Sequence, residues 1–530
     1  MPLATNAYAA AVAASAQNAQ FSTVAQVLPR KVLVIGTYLP AKTGITNYTP
    51  APVLSPTDAG NTYGFGSMIH RMVTGVFAGM NTAGGQVPVY VSPDSETDIA
   101  GAAAGVGTFA ITGPASAAGT AMFYIDNIAY QVTVTASMTA TAVGDALVLA
   151  MAADPNCPCV GVNTTGSVAC TAKSKGIWGN YIPYAMNLGA TDKLPAGLAV
   201  AITAPVAGAG TNSVSIAAAL AALGANDGAN ILGITDVVHG YHQDQAVITA
   251  IGTYGGLGNT SSGLYGATVH RPFRCLTGDV VAGSTGFTNL QSLAASNTQD
   301  RTDGIIWAPG SMTHPEEIAA NAIGYMAVTN NLNAAQMYVG AILAGVDPGN
   351  AAGAAATRLT DVYANRVTAV SAGISPTLAQ GGYLYLQNVI SFYNPANVPP
   401  ANNGYREMVN ISKVQNMLYN EWLAFAKPKW QGTFIVKDTS AVTDAIARQK
   451  ARSIDDVRDE WIALVTQFYK MGWIYSTDLP IKALQPGASS PAITIRPAGD
   501  GFIAQVPVIL SGVGNIFDST ILFDIAIPTS

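Results

Sequence analysis

The chain has 530 residues, 24 basic and 30 acidic, so only 10% are charged and the net charge is −6. Soluble domains ordinarily carry about 25% charged residues, so a surface filled instead with Ala, Gly, Thr, Ser and Asn predicts that much of it is covered in use. The acidic balance excludes the basic footprint of a nucleic-acid binder.

No run of 18 uninterrupted apolar residues occurs, so no membrane-spanning helix is predicted. The first basic residue is Arg30, so Met1 to Ala25 lacks the positive region of a signal peptide and synthesis in the cytoplasm is expected. Charge is uneven along the chain. Met72 to Ala172 holds no Lys or Arg, whereas Ala401 to Asp500 holds 22 charged residues, 12 of them basic. This marks the chain as multidomain.

In chain order, Met1 to Leu28 is small and polar and is expected as an extended arm. Lys31 to Gly36 is an apolar run ending in Gly, a buried strand. Met68, Met72, Val76 and Met80 recur at helical spacing, and Gln86 to Val91 returns as a strand, so residues 29–95 are expected as α/β. Phe109 to Gly113, Ala121 to Ile125 and Ala129 to Thr135 are short, rich in Thr and aromatics, and separated by Gly, Pro and Asn. Residues 96–180 are therefore expected as an inserted all-β domain.

The α/β pattern resumes over 181–380, with strands at Leu198, Ile231 and Thr302 and a helix from Ser213 to Leu223. His314, Pro315, Glu316 and Glu317 open another helix, with Pro and acids in its first turn. Residues 381–530 are expected as an α+β domain. Asn410 to Ala426 is an amphipathic helix, and Ser453 caps a second that runs to Met471, with Asp455, Asp456, Asp459 and Glu460 near its positive end. Ile454, Val457, Trp461, Leu464, Val465 and Phe468 form its apolar stripe. Phe502 to Leu510 and Phe517 to Ile527 are strand-like runs near the C-terminus.

Chemical motifs are weak. Gly36 to Thr43 follows a strand with near P-loop spacing, but Ala41 stands where the second Gly belongs and Gly44 to Pro52 is no helix. A surface loop is the better reading. His239 and His242, with Asp236 or Asp244, are a conceivable metal set, and Cys157, Cys159 and Cys170 lack the usual knuckle spacing, while Cys275 stands apart. Buried thiols and a polar loop are preferred, and no catalytic, cofactor or metal site is expected. The charged face of the Ser453–Met471 helix, with Arg448, Lys450, Arg452 and Arg458, is either solvated or meets a charged partner. Strand-like ends suit pairing with another chain's sheet edge, and a head-to-tail version builds rings or filaments. Folding back onto their own domain is the alternative.

Several segments resemble contractile-phage tail sheath proteins of the type found in phage Mu. Arg30 to Gly44 is similar to that family's opening strand and loop, and Tyr63 to Met72 to the entry of its helix. Thr171 to Asn180 resembles the turn that ends the family's inserted domain; Arg271 to Arg274 and Trp307 to Met312 follow in the family's order. Tyr383 to Tyr393, the two late helices and the terminal strands resemble its C-terminal domain. The family commonly has an Asp-rich stretch where this chain has Tyr181 to Ala185, and the Asn394–Asn403 loop is long.

The resemblance implies a structural subunit, not an enzyme, with an α/β core, an outer inserted domain and exchanged N- and C-terminal arms. It implies hexameric rings stacked helically around a tail tube protein, with baseplate and tail terminator proteins as further partners, no direct nucleic-acid contact and no membrane insertion. Contraction would drive the tube through the host envelope, and the protein would reside in the virion tail after assembly in the host cytoplasm. Val506, Val508, Leu510, Ile521, Phe523 and Ile525 are then candidates for intersubunit strand exchange, and Arg448, Lys450, Arg452 and Arg458 for the tube-facing surface. Other self-assembling virion or surface-layer proteins remain the alternative.

Overall fold

The computed structural model describes residues 26–189, 191–211, 213–224, 233–256, 264, 271–349, 358–397, 404–425, 432–488, 492–497, 499 and 501–512. The chain forms two compact units, Val27–Tyr419 and a smaller one containing Gln26 and Asn420–Ser511.

The larger unit is built on an eight-stranded sheet. In chain order its elements begin β1 (Val32–Tyr38), β2 (Ala51–Val53), α1 (Pro56–Tyr63), α2 (Met68–Thr82) and β3 (Val89–Ser95). Between β3 and the next sheet strand lies the inserted segment: β4 (Ala100–Ala103), β5 (Val106–Thr112), β6 (Gly119–Ile125), β7 (Ile128–Val134), α3 (Ala140–Ala153), β8 (Cys159–Thr164), β9 (Ser167–Ala172), β10 (Tyr184–Met186), β11 (Ala199–Val206), β12 (Ala209–Thr211) and α4 (Ser213–Ala222). The sheet resumes with β13 (Asp236–His239), α5 (Gln245–Gly255), β14 (Arg274–Asp279), α6 (Ser284–Ser296), β15 (Asp303–Trp307), α7 (Pro315–Leu332), α8 (Tyr363–Ala372), β16 (Ser375–Gln380), β17 (Tyr383–Leu386) and α9 (Met408–Phe425).

The sheet order is β17-β16-β15-β14-β13-β1-β3-β2. Strands β3, β1, β13, β14, β15 and β16 are parallel, with β2 and β17 antiparallel at the edges. Parallel strands covered on both faces are buried throughout, and β13, β14 and β15 are buried at every position. The chain leaves β1 toward β3 on one side and toward β13 on the other, so the strand order reverses between β1 and β13. Open α/β sheets ordinarily bind ligands at such a reversal. Here Met68 and Met72, both buried, lie against Gly36 and Gly240 at the strand ends; a Cβ on Gly240 would stand 2.1 Å from Met68 Sδ.

Helices α2 and α7 cover one face and touch backbone to backbone. A Cβ on Gly79 would come within 1.9 Å of Asn321 O, and one on Gly324 within 2.1 Å of Val76 O. Ser67 caps α2 by accepting from His70 N, and its apolar positions fall on the predicted period, with Met68, Met72, Val76 and Met80 all buried.

The inserted segment is not all-β. Thr139 caps α3, which buries Val143, Leu147 and Met151 at four-residue spacing against β7 and β8. Its Ala-rich sequence favours helix, and the Gly and Thr around it disguised the period. The strand at Leu198 also departs from expectation: as β11 it pairs with β5 in the sheet β11-β5-β9-β8 and not with the parallel strands. The second inserted sheet is β10-β6-β7. Asp126 and Asn127, both at positive φ, make the two-residue turn between β6 and β7. The expected strand start at Ile231 lies outside the described residues.

The smaller unit contains β18 (Phe434–Ile435), α10 (Ala445–Lys450), β19 (Ala451–Arg452), α11 (Ile454–Lys470), α12 (Asp478–Leu484), β20 (Ile493–Ile495) and β21 (Phe502–Ala504). Ser453 and Asp456 form a reciprocal capping box at the start of α11, and Val457, Trp461, Leu464, Val465 and Phe468 are buried as the stripe requires. Among the described residues no helix is long and apolar enough to cross a membrane.

Candidate functional site

Two arrangements stand out, one in each unit. In the smaller unit, β21 continues as an extended run to Ser511. Ile503 and Phe502 face Thr494 and Ile495 across the antiparallel pair with β20, and Gln505 N donates to Ala492 O at 2.7 Å. Farther on, Ile509 O accepts from Tyr475 N at 2.7 Å and Ser511 N donates to Trp473 O at 3.1 Å, flanking the bridge between Leu510 and Ile474. These bonds fall on Gln505, Ile509 and Ser511, in the row of alternate residues that includes Pro507, so one backbone edge is committed to the unit's own backbone at Ala492, Tyr475 and Trp473. Successive residues of a strand present N–H and C=O to opposite edges. Among the described residues, Val506 and Val508 take no backbone hydrogen bond, and Leu510 meets Ile474 without one through its own amide.

The result is an open row at Val506, Val508 and Leu510. Pro507, which has no N–H, sits in the committed row, where its missing donor leaves the open row intact. Val506, Val508 and Leu510 are half-buried while Gln505, Pro507 and Ile509 are exposed, a period-two pattern in the side chains as well. Ile521, Phe523 and Ile525 lie outside the described residues, as does the arm from Met1 to residue 25. Gln26, at the end of that arm, pairs through both backbone groups with the Asn420 amide, at 2.7 and 2.8 Å.

The basic candidates divide. Arg448 and Lys450 are exposed in the last turn of α10. The Arg452 guanidinium donates to Gln449 O and Ala451 O, and Arg458 pairs with Asp455. Arg448 is near enough to the exposed Asp438 to help lower that carboxyl.

In the larger unit, residues far apart in sequence meet at a buried ionic joint. Arg71 of α2 donates from Nε and Nη2 to Glu317 of α7 at 2.6 and 2.8 Å, and from Nη2 to Asp126 of the β6–β7 turn at 2.8 Å. Asp126 Oδ1 also accepts from His314 N at 2.7 Å. His314 caps α7 through Nδ1, donates from Nε2 to Trp178 O at 3.0 Å and stacks on the Trp178 ring at 4.4 Å between centroids. Met68 N donates to Ser174 Oγ at 3.0 Å, tying the start of α2 to the end of β9's loop.

One guanidinium faces two buried carboxylates, and they divide accordingly. Burial works to raise the Asp126 carboxyl, but Arg71 and the His314 amide override it and hold it below the usual range. Burial pushes Glu317 well above the carboxylate range, Arg71 notwithstanding, with Asp126 adding to the rise. Burial also lowers His314 to about 4, against the pull of Asp126. One guanidinium shared by two buried carboxylates, beside a buried imidazole, is suited to holding three chain segments together. None of its members was singled out in the sequence as a site residue. Arg71 did carry a signal, as the last basic residue before the long stretch without any.

The nucleotide reading of Gly36–Thr43 fails on geometry. Thr37 N donates to Met68 Sδ at 3.4 Å and Leu39 N to Tyr63 O at 3.0 Å, so amides a phosphate would need are occupied. Cys157, Cys159 and Cys170 are buried free thiols, and Cys159 Sγ lies 3.2 Å from the Tyr184 hydroxyl. Of the carboxylates that could join His239 and His242, Asp236 is engaged by Arg274 at 2.9 Å and Asp244 caps α5.

No family model matches the sequence, and no curated protein matches it. Solved structures do. The sheath tail protein of Desulfitobacterium hafniense is similar at 10% identity and a TM-score of 0.41, over 95% of this chain and 98% of that one. A sheath tail protein of Listeria innocua is similar at 11% identity and a TM-score of 0.39, over 92% of this chain and 93% of that one. The contracted PVC sheath of an extracellular contractile injection system is similar at 7% identity and a TM-score of 0.44, over 98% and 99%. The likeness spans nearly the full length on both sides and is loose throughout.

Proposed function

We propose that the chain is the structural subunit of a contractile tail sheath. Copies associate by strand addition, stack as hexameric rings around a tail tube, and contract to drive that tube through a host envelope, with no catalytic step. The observation that carries the proposal is the open backbone row at Val506, Val508 and Leu510 beside a committed row at Gln505, Ile509 and Ser511. An edge with free donors and acceptors accepts a strand from another chain. The C-terminal run with Ile521, Phe523 and Ile525 and the arm up to Leu28 are the strands assigned to it. Repeated head to tail, that contact does not close on two copies and gives rings or filaments.

Two further observations support the reading. Segments that resemble sheath proteins in sequence meet in the larger unit, where Met68, Arg71, Ser174 and Trp178 share the joint. The exposed Arg448 and Lys450 supply a weak, releasable contact for the tube, since surface ion pairs contribute only about 0–1 kcal/mol each. The inserted segment is assigned the outer surface of the assembly, and the subunit resides in the tail.

Negative-stain electron microscopy of the concentrated full chain, alone and with tail tube and baseplate, tests this. Tubes or stacked rings that vanish on removal of residues 1–20 or 519–530 support it. Tubes that survive both truncations overturn strand exchange, and monomers in both settings overturn the sheath role.

A further inference from the structure

Behind the parallel sheet's α5 side lies a cluster unrelated to assembly. Strands β13, β14 and β15 are neighbours, with Val237 opposite Cys275 and Cys275 opposite Asp303. His239 is two residues beyond Val237, so its side chain projects from the same face. One donor atom from each of His239, Cys275 and Asp303 lies within 4.8 Å of the other two, and all three residues are fully buried.

The polar atoms of this cluster are poorly satisfied. His239 Nε2, Asp300 Oδ2 and Thr277 Oγ1 take no hydrogen bond of good geometry, and the Asp303 oxygens meet only the Cys275 thiol and Asp300 at poor geometry, although buried polar atoms are ordinarily satisfied. The same register places Thr277 beside His239 on this face. Helix α5 closes the space: a Cβ on Gly252 would stand 2.7 Å from Asp300 Oδ2. The Cys275 thiol and Asp300 are the polar groups that approach Asp303, His239 Nε2 is left without a partner, and the cluster is too enclosed to reach bulk water.

We propose that His239, Cys275 and Asp303 form a buried structural zinc site that staples β13, β14 and β15 together. Imidazole nitrogen, thiolate sulfur and carboxylate oxygen are the zinc donor set, bound at about 2.0–2.3 Å, so the cluster contracts around the ion. Asp303, neither of whose oxygens holds a well-formed hydrogen bond, supplies two of four donor atoms. A thiolate and a carboxylate cancel the dication, which leaves no net charge in the core. Coordination through Nε2 places the imidazole proton on Nδ1, so the hydrogen bond that Nδ1 accepts from Tyr241 N at 3.3 Å in the metal-free chain must break. The site departs from the metal-free expectation because Cys275 and Asp303 are remote from His239 in sequence. Enclosure means the ion enters during folding and not afterwards.

Full-length protein from zinc-supplemented culture is dialysed natively against EDTA and its metal measured by mass spectrometry. One zinc per chain, retained natively and lost only on unfolding with chelator, is expected. Refolding with Co2+ should give a thiolate-to-cobalt charge-transfer band that survives the triple change Cys157→Ser, Cys159→Ser, Cys170→Ser and disappears in Cys275→Ser. If Cys275→Ser does not fold, Asp303→Asn and the triple variant still decide through metal content: lost in the first, kept in the second. Substoichiometric zinc in the wild-type chain, absence of the band, or a band carried by Cys157, Cys159 or Cys170 overturns the proposal; a water-filled or directly hydrogen-bonded cluster gives the first of these.

Discussion

Arg71 holds Asp126 at 2.8 Å across fifty-five positions of sequence, with the carboxylate withdrawn from water and the guanidinium nearly so. Arg71→Met removes the charge and leaves the Asp126 carboxylate buried and uncompensated. Breaking such a pair costs about 3–5 kcal/mol. Chemical denaturation should show that loss, and Asp126→Asn in the same chain should recover part of it; equal stability of Arg71→Met and wild type would refute the joint.

His314 sets a pH dependence. Its folded pKa is depressed to about 4 from an ordinary 6.5, chiefly by burial. The unfolded chain takes up this proton first as pH falls. His314 therefore contributes no loss above pH 6.5, a growing loss between 6.5 and 4, and a constant one below. The total is roughly 3 kcal/mol. His314→Asn keeps a capping side chain and removes the titration. The stability gap between the two proteins should shift in the variant's favour over that window, and a gap that stays flat from pH 7 to 4 would show that the imidazole is not buried neutral.

Gly79→Ala places a methyl group against the Asn321 carbonyl of α7. Overpacking of this kind costs about 1–3 kcal/mol, and here the obstacle is backbone, which cannot turn aside. Thr82→Ala, on the exposed side of the same helix, should stay within about 0.5 kcal/mol of wild type. Thermal unfolding of both variants separates contact from propensity, because alanine is the better helix former at either position.

Val508→Pro deletes a donor from the open row without touching a bond inside the unit. Monomer stability should change by less than about 0.5 kcal/mol, while assembled tubes disappear from sedimentation profiles. Tubes formed at wild-type yield would mean that the partner strand does not use this edge.

The elements with a strong local period were legible in the sequence. The Met68–Met80 spacing, the Ser453 cap and the Trp461 stripe each stand in the fold as the pattern requires, because adjacent turns of one helix decide them. Helix α3 was hidden because its small residues give little contrast between buried and exposed faces, so the period of Val143, Leu147 and Met151 is faint beside the surrounding Gly and Thr until packing on β7 and β8 fixes it. Of the candidate site, the strand-like character of Val506 to Leu510 was visible as alternation. Which of its edges is open was not, since that depends on Ala492, Trp473 and Tyr475. The company of Arg71 and of Cys275 was equally invisible, because strand order and helix crossing bring those groups together, not spacing along the chain.

The packing of Met68 and Met72 between Gly36 and Gly240 has a mechanical meaning. Close-packed interiors have low compressibility and transmit displacement instead of absorbing it. An open crevice at the reversal between β1 and β13 would be the sheet's softest point, the place where the two halves could flex. Filled with two side chains that touch both strand ends, it becomes a wedge, and the parallel strands on either side move as one plate.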